Sequence, residues 1–509
     1  MPALLISPLV WFVLAISSIR TRRSAASAAL LGTIVSLALT LLVGWGLTRK
    51  SSGVFNASYA YINMSVAFTG PSNFQTFAID LTMHADKLVV AALFAIEVCM
   101  IGALAWNQTQ GRNEPGAARF YAMISALLFT CTGILLSQDL AELFAFWVIG
   151  GALTYLLLEH RWGSDEPAER ARIALALPLL TDLCLLCGIG WLYSRYGVQN
   201  ITAIAPILHT NPGWTVRSIV LGAGLLFVGV GGRLALWPLS TWITETANTA
   251  PPAGWAIVQA SWSVVAIVLL YRLMPIFTGS SEQFMHVILD ASAGVGAIAA
   301  LLALADNQPR RILALTGSAA GALGCAAVLS GFHNQPSTYA IAGVAAVIAI
   351  APARTAAILA VSSISAAMRT DDLAEMGDAW NRMRASSLGL LVSTLLIGLG
   401  LSGALALAIP SRSRVGFAIG EAVLLVALGG VRVFMAVSFG ELRRRRAFEP
   451  DRVREAPRES TGWPYWLALA SAVLIVASLF NRWLNFLDGL THPALGAKPV
   501  VLWAAVAVA

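Results

Sequence analysis

Apolar runs of about 20 residues recur along the whole of this 509-residue chain, and no other feature restricts its fold as strongly. A helix of that length is long enough to cross a bilayer. The chain is 58% hydrophobic, and only 12% of its residues are Asp, Glu, Lys or Arg, which is about half the charged fraction of an ordinary soluble domain. The pattern argues against a soluble enzyme and predicts an all-α polytopic membrane protein.

The apolar runs predict fourteen transmembrane spans. Their approximate ranges are 2–19, 25–47, 87–106, 118–137, 139–158, 173–194, 217–243, 253–277, 285–304, 311–330, 338–367, 386–409, 415–439 and 463–484. The stretch from Pro499 to Ala509 is too short to span. The long polar loop from Ser51 to His84 is expected to form a small strand-like cap outside the membrane.

Arginine placement predicts the orientation of the spans. With the N-terminus outside, the loops on the inner side hold most of the arginines, including the dense run Arg443–Arg446, whereas the outer loops hold few basic residues. An even span count then places both termini outside. The net charge of +7 is therefore a topology signal and not a nucleic-acid footprint. We expect a multi-pass protein of the bacterial inner membrane, with the lipid bilayer as its surroundings.

Prolines are expected to interrupt helices in the middle of the chain. Pro238 should break the seventh span, Pro251–Pro252 precede the eighth, and Pro352 should break the eleventh. Transporters place binding sites at broken helices, often at corresponding positions of two repeats. The seventh and eleventh spans each carry an arginine near the break, Arg233 and Arg354, and this correspondence indicates an ion or substrate path.

Polar residues at membrane depth are the other candidates, because a charge at the bilayer centre costs at least about 2.5–3.5 kcal/mol on insertion scales. Asp182 lies ten residues into its span and Arg354 near the middle of its own. For both we favour a polar interior path over a static ion pair. Glu142 is near a span end, where a charged head group reaches the interface cheaply. Gln259 can hold a water molecule or simply join helices.

Three segments resemble signatures of the proton-conducting membrane transporter family. The segment Gly232–Ile243, followed by Ala250–Ala253, resembles "K-S-A-x-x-P-L-x-x-W-L … P-T-P-V-S-A". Gln308–Ser318 resembles "D-I-K-R-x-L-A-Y-S-T", and Ala353–Leu359 with Asp372–Gly377 resembles "F-K-A-L-L-F-L … D-I-R-K-M-G". This family contains the antiporter-like L, M and N chains of bacterial complex I, the multisubunit (Mrp) cation/proton antiporters, and the membrane subunit, DabB, of the Dab inorganic-carbon pump.

The resemblance implies two inverted five-helix repeats with broken helices over roughly residues 75–410. It gives a division into N-terminal spans with an outside loop (1–86), a first antiporter-like repeat (87–245), a second repeat (246–410) and C-terminal spans (411–509). It also implies the residues of a proton or ion path. The family's lysines fall at Arg233, Arg310 and Arg354, its histidine falls at Gln259, and its sixth-span aspartate falls at Asp182.

Departures from the family pattern change the chemistry of that path. In the family, a glutamate follows a Trp on the fifth span, but here Val148 follows Trp147. Glu142 lies six residues before Val148 and on a different face of the helix. The twelfth-span lysine falls near Gly403 without a replacement. A buried Lys can give up its proton, whereas Arg effectively cannot, and Gln does not titrate as His does. The candidate set is Asp182, Arg233, Gln259, Arg310, Arg354 and Glu142, with Asp182 beside Arg233 as the expected pair.

Three functions are compatible with these residues, and all three place the chain in a hetero-oligomeric membrane complex. The first is a proton-conducting subunit that powers bicarbonate or CO2 uptake with a peripheral DabA-type zinc protein; it is favoured because the chain lacks the lateral helix and several key residues of the complex I chains. The second is a divergent antiporter-like subunit of NADH-quinone oxidoreductase or a membrane hydrogenase. The third is a non-conducting scaffold. No nucleotide, flavin or quinone motif is visible, so no cofactor, metal or catalytic residue is expected in this chain.

Overall fold

The computed structural model describes residues 2–17, 22–50, 53–67, 74–110, 116–160, 165–197, 200–201, 216–334, 338–408, 414–441 and 458–479. Within these ranges fourteen long helices follow the fourteen predicted spans one for one. Their bounds are Pro2–Ser17 (α1), Arg22–Arg49 (α2), Lys87–Gln110 (α3), Ala117–Leu136 (α4), Leu140–Leu158 (α5), Asp165–Tyr196 (α6), Val216–Arg233 (α7), Pro252–Arg272 (α8), Glu282–Ala305 (α9), Pro309–Asn334 (α10), Thr338–Met368 (α11), Arg384–Ala408 (α12), Arg414–Phe439 (α13) and Arg458–Leu479 (α14).

Length and composition support the membrane assignment. Twelve of the described helices are long and apolar enough to cross a bilayer, while Pro2–Ser17 and the segment Ile219–Arg233 of α7 are apolar but shorter. The prediction of an all-α polytopic membrane protein is confirmed. The division into two repeats stays a prediction, and the Arg443–Arg446 run and the stretch Pro499–Ala509 lie outside the described residues.

The predicted outside cap is a two-stranded antiparallel hairpin. Strand β1 spans Phe55–Ala67 and strand β2 spans Phe74–Ala85, with a bulge between Ala60 and Ile62. The backbone of Thr82 joins this hairpin to the bundle: its N–H donates to a carboxylate oxygen of Glu142 (3.0 Å), and its carbonyl accepts from the N–H of Gln138 (3.0 Å). The hairpin therefore covers the end of the bundle at the α4–α5 connection.

Three helices, α8, α10 and α11, form the centre of the bundle and are enclosed along their apolar length. They are apolar on every side, as expected for helices that do not face lipid or water. Small residues let them approach closely. Where α10 crosses α11, a Cβ atom on Gly343 would lie 3.0 Å from the carbonyl oxygen of Gly324. Polar side chains carried by these three helices are thereby held away from the bilayer.

The predicted break at Pro238 is confirmed. Helix α7 ends at Arg233, and a chain of turns with a cis Trp237–Pro238 peptide leads to the short helix Thr241–Thr244. Side chains bind the carbonyl groups that the break leaves free: the indole N–H of Trp242 donates to the Gly232 carbonyl (3.0 Å). Helix α8 then begins at Pro252, its first helical residue, where a missing N–H costs nothing.

The predicted break at Pro352 is wrong, because α11 runs without interruption from Thr338 to Met368. A proline inside a helix removes one hydrogen bond and crowds the preceding turn. In membrane bundles, hydroxyl side chains of neighbouring helices can satisfy the disturbed carbonyl groups. Here the hydroxyl of Ser471 on α14 donates to the carbonyl of Ala349 (2.6 Å), in the turn before Pro352. A neighbouring helix thus supplies a donor that the local sequence does not reveal.

Candidate functional site

Helices α6 and α7 bring the expected pair Asp182 and Arg233 together. The Nε atom of Arg233 donates to Oδ1 of Asp182 (3.1 Å), and its Nη2 donates to Oδ2 (2.5 Å). The side chain of Asp182 is 9% exposed and that of Arg233 is 3% exposed. Arg233 is the last residue of α7, so the break at Pro238 places the guanidinium where the helix ends. The result is a buried, bidentate ion pair, which is the geometry in which arginine binds carboxylates most strongly.

Two tryptophans complete the surroundings of this pair. The indole N–H of Trp147 on α5 donates to Oδ1 of Asp182 (2.7 Å). The guanidinium of Arg233 lies 4.6 Å from the ring centroid of Trp262 on α8, within cation–π range. The two indole rings meet edge to face, with centroids 5.0 Å apart. Val148, at the position of the family's glutamate, is 45% exposed and points away from the pair.

Glycine at position 151 is what allows Arg233 to reach Asp182. A Cβ atom at Gly151 would collide with Nη2 of Arg233 and approach Oδ2 of Asp182 to 3.4 Å. Sequence reasoning treated the tryptophans as packing residues and did not single out this glycine. The one available signal was spacing: Trp147 and Gly151 are four residues apart and so share a face of α5.

A second cluster surrounds Arg354, the seventeenth of the 31 residues of α11. Its Nη2 donates to Oε1 of Gln259 (2.8 Å), and its Nη1 is 3.4 Å from the hydroxyl oxygen of Ser263. Arg354 and Gln259 are 7% and 6% exposed. A glycine again makes room, because a Cβ atom at Gly317 on α10 would collide with the guanidinium.

One face of α8 connects the two clusters. Gln259, Trp262 and Ser263 are spaced i, i+3 and i+4, so their side chains lie side by side. Trp262 contacts Arg233, while the other two contact Arg354. We call the series Asp182, Arg233, Trp262, Gln259 and Arg354 the buried line. A cavity of about 10 Å³ lies between the two arginines, which is enough space for one water molecule.

A larger cavity, the inner vestibule, opens at the ends of the same central helices. Its volume is about 790 Å³, and its walls include Asn107 of α3, Pro252 of α8, Arg310 of α10 and Ser365 of α11. These residues lie at helix ends that the arginine distribution places on the inner side. Arg310, whose Nη1 donates to the carbonyl of Ala247 (3.3 Å), therefore lies in the vestibule and not on the buried line.

The distance between the two cavities follows from α10. Ala314 and Gly317 line the small cavity, and they follow Arg310 by four and seven residues on one helix face. At 1.5 Å per residue, they are about 6 and 10 Å further along the helix. One to two helical turns therefore separate the vestibule from the buried line.

Glu142 is not brought together with the other candidates. It lies in the first turn of α5 and accepts from the backbone N–H of Thr82 in the outer hairpin (3.0 Å). Another buried acid, Glu97 of α3, accepts hydrogen bonds from Ser36 (2.7 Å) and Thr40 (3.0 Å) of α2. Of the six predicted site residues, four lie on the buried line, one lies in the vestibule, and Glu142 is buried where α5 meets the hairpin.

Comparison with known proteins places this bundle in a family. The family model described as "NADH:quinone oxidoreductase/Mrp antiporter, TM" matches residues 137–439, which is more than half of the chain. The chain belongs to this family. Every residue of the buried line falls inside the matched segment, as do Arg310 and Glu142.

Named relatives are subunits of quinone oxidoreductases. NAD(P)H-quinone oxidoreductase subunit 5 from the chloroplast of Ranunculus macranthus is 27% identical over 241 residues, which are 47% of this chain and 32% of that protein. NADH-quinone oxidoreductase subunit L of Neisseria meningitidis is 26% identical over 310 residues, 58% of this chain and 44% of that protein. The match thus spans less than half the length of these relatives.

A chain of a solved structure has the same fold. A chain of the Mrp complex from Dietzia sp. DQ12-45-1b superposes with a TM-score of 0.77, and the superposition covers 96% of each chain at 16% sequence identity. The chain is thus an antiporter-like membrane subunit related to those of complex I and Mrp assemblies.

Proposed function

We propose that this chain is a proton-conducting subunit of an energy-coupled, hetero-oligomeric membrane complex. The observation that carries the proposal is the buried line, which runs across the centre of the bundle and contains the ion pair of Asp182 and Arg233. Placing polar groups at this depth is costly unless they are paired or serve a path. The line also lies in the segment that matches the antiporter family.

Asp182 is the only residue of the buried line that has a carboxyl group, and so the only one with a protonated and an ionised form suited to carrying a proton. Arg233 and Arg354 keep their charge under all physiological conditions, and Gln259 is neutral. Proton movement through this line must therefore use Asp182 together with water. When the guanidinium moves away, the carboxylate loses its counter-charge and takes up a proton; when the pair closes again, the proton leaves. In this proposal the arginine keeps its charge and moves relative to the carboxylate, in place of a lysine that titrates.

The finer proposal is that this conduction drives bicarbonate or CO2 uptake with a DabA-type zinc protein on the inner side. It is supported by the substitutions that distinguish this chain from the family pattern, with Arg at three lysine positions, Gln259 at a histidine position and Val148 at a glutamate position. The inner vestibule adds a polar surface on the side where such a partner would dock.

Two alternatives each have an observation in their favour. The curated relatives named above are quinone oxidoreductase subunits, which favours a divergent subunit of complex I or a hydrogenase. The complete pairing of Arg233, and a central cavity with space for a single water molecule, favour a non-conducting scaffold.

Two measurements separate these functions. Purification of the tagged chain from native membranes, followed by mass spectrometry, should recover a zinc protein; a set of oxidoreductase subunits in its place would overturn the carbon-uptake proposal. Uptake by the assembled complex should be lost in Asp182→Asn and retained in Arg233→Lys, which preserves a cation beside the carboxylate. Wild-type uptake in Asp182→Asn would leave the scaffold as the remaining function.

A further inference from the structure

The small cavity in the middle of the bundle carries an unbalanced positive charge. Two charged side chains line it, Arg233 and Arg354. Asp182 neutralises Arg233 through two hydrogen bonds. Arg354 has only the neutral partners Gln259 and Ser263, and no described carboxylate lies within ion-pair distance of it. The cavity wall therefore has a net charge of +1 at the depth where an isolated charge is least tolerated.

Unused hydrogen-bond donors are present in the same wall. A guanidinium can only donate, so Oε1 of Gln259 must be the atom that faces Arg354, and the amide nitrogen is turned away. That amide nitrogen and Nε of Arg354 are both buried without a hydrogen-bond partner in the part of the chain that the structure describes. The hydroxyl groups of Ser263 and Ser318 donate to backbone carbonyls. These hydroxyl protons are therefore used, and the unused donors of the wall are Nε of Arg354 and the amide nitrogen of Gln259, which suit an anion.

The missing counter-charge does not come from a partner subunit. Arg354 is at the midpoint of α11, and α8, α10 and α11 are enclosed by the other described helices along their apolar length. A carboxylate on another chain would have to pass through this layer to reach the guanidinium. A mobile ion is small enough to enter from the inner vestibule, which begins one to two turns away.

The residues around Arg354 differ from the family signature in a coordinated way. The signature has Lys, Thr and His at the positions of Arg354, Gly317 and Gln259. The larger guanidinium fits because Gly317 has no side chain. Gln259 then provides a carbonyl oxygen for the guanidinium and a free N–H donor for the cavity. The site in this chain is therefore a permanently cationic pocket with unused donors.

We propose that this pocket binds one monatomic anion, with chloride as the physiological candidate. The anion binds beside the guanidinium of Arg354, with Nε of Arg354 and the amide nitrogen of Gln259 as its available donors, and supplies the counter-charge that the described residues do not provide. A space of about 10 Å³ favours a monatomic anion over polyatomic anions such as bicarbonate and nitrate. The inference holds whatever the assembled complex transports.

The test is anion-dependent stability of the purified full-length chain in detergent. Sodium gluconate is exchanged for sodium chloride at constant ionic strength, and the melting temperature is recorded. Because the ligand binds only the folded state, the melting temperature should rise with chloride concentration and level off. Bromide should act similarly, and nitrate and bicarbonate should not. In Arg354→Gln the chloride dependence should be lost.

Arg432→Gln is the matched control. Its guanidinium on α13 donates to the carbonyls of Leu304 and Asp306 (both 2.6 Å), so it does not line the cavity, and chloride dependence should persist in this variant. Equilibrium dialysis of the wild-type chain with radioactive chloride measures binding directly and does not require any variant to fold. In the same assay, Gly317→Ala should bind chloride more weakly, because the new methyl group displaces the guanidinium of Arg354.

Three results would overturn the proposal. The first is equal stability in chloride and gluconate together with absence of bound radioactive chloride, which would mean that water alone occupies the cavity. The second is an undiminished chloride effect in Arg354→Gln. The third is an equal response to nitrate, which would indicate weak binding of anions to the basic surface.

Discussion

Replacing Asp182 with Asn should destabilise the protein far more than the size of the change suggests. Asn has nearly the same shape, but it removes the negative charge that receives two hydrogen bonds from Arg233 and one from Trp147. The guanidinium then remains buried, 3% exposed, without a counter-charge. Breaking a buried pair on one side typically costs about 3–5 kcal/mol, most of it the penalty for the unpaired charge.

The double variant Asp182→Asn/Arg233→Met tests whether that penalty is the cause. It removes both charges and keeps a similar volume, and replacing a whole buried pair with neutral groups is often close to neutral in stability. The double variant should therefore be more stable than the single variant, by about 2 kcal/mol or more. Free energies of unfolding are measured by denaturant titration in mixed micelles, with tryptophan fluorescence as the signal.

Two outcomes would refute this reasoning. One is a single variant within about 0.5 kcal/mol of wild type, the range of a surface change; the other is a double variant no more stable than the single one. Either would mean that water or another group compensates Arg233. Function gives the complementary readout, because the double variant should be stable yet inactive if Asp182 carries protons.

Three further predictions use other parts of the chain. Gly151→Ala should lower the stability of the protein by about 1–3 kcal/mol and should lower its activity, because the new methyl group displaces Arg233. The control is Gly190→Ala on α6, where nothing lies within 4 Å of the new Cβ atom. This control should have a melting temperature equal to that of wild type or slightly higher. A cysteine introduced within Arg443–Arg446 should not react with a membrane-impermeant thiol reagent in sealed cells. A cysteine that replaces Tyr59, which is 47% exposed in the hairpin, should react. The opposite labelling pattern would mean that the predicted orientation is wrong. Liposomes that contain this chain alone should show negligible proton flux under an imposed gradient, and robust flux would contradict the need for a partner.

Hydropathy was sufficient to predict the all-α membrane fold, because the bilayer sets the length and polarity of every span. The break at Pro238 was likewise predictable, since proline cannot supply the backbone N–H that the helix needs. The continuity of α11 through Pro352 was not predictable from local sequence. In the turn before Pro352, the carbonyl of Ala349 accepts from Ser471, which is 122 residues further along the chain, and only the packing of α14 against α11 brings these groups together.

The candidate site was predictable where charge identified it. Asp182 and Arg233 were paired in advance from depth and family position, and the structure brings them into contact. The roles of Trp147 and Trp262 were missed because tryptophans at helical spacing are common in any membrane bundle. Their partners depend on the rotation of α5 and α8 about their axes, which the sequence pattern leaves open. Glu142 was included as an ionisable residue that could replace the acid missing at Val148, but it lies in the first turn of α5 and binds the hairpin.

The surroundings of the two arginines argue for a retained and altered function over simple decay of the family's proton path. A scaffold gains nothing from a buried charge, and apolar residues of similar volume would be at least as stable there. Yet Arg233 and Arg354 are both present, and each lies against a glycine, Gly151 or Gly317, that makes room for its guanidinium. Two independent accommodations of this kind indicate that permanent positive charge is required at these depths. If apolar replacement of Arg354 left the assembled complex fully active and more stable, that requirement would be disproved and the scaffold would become the better account.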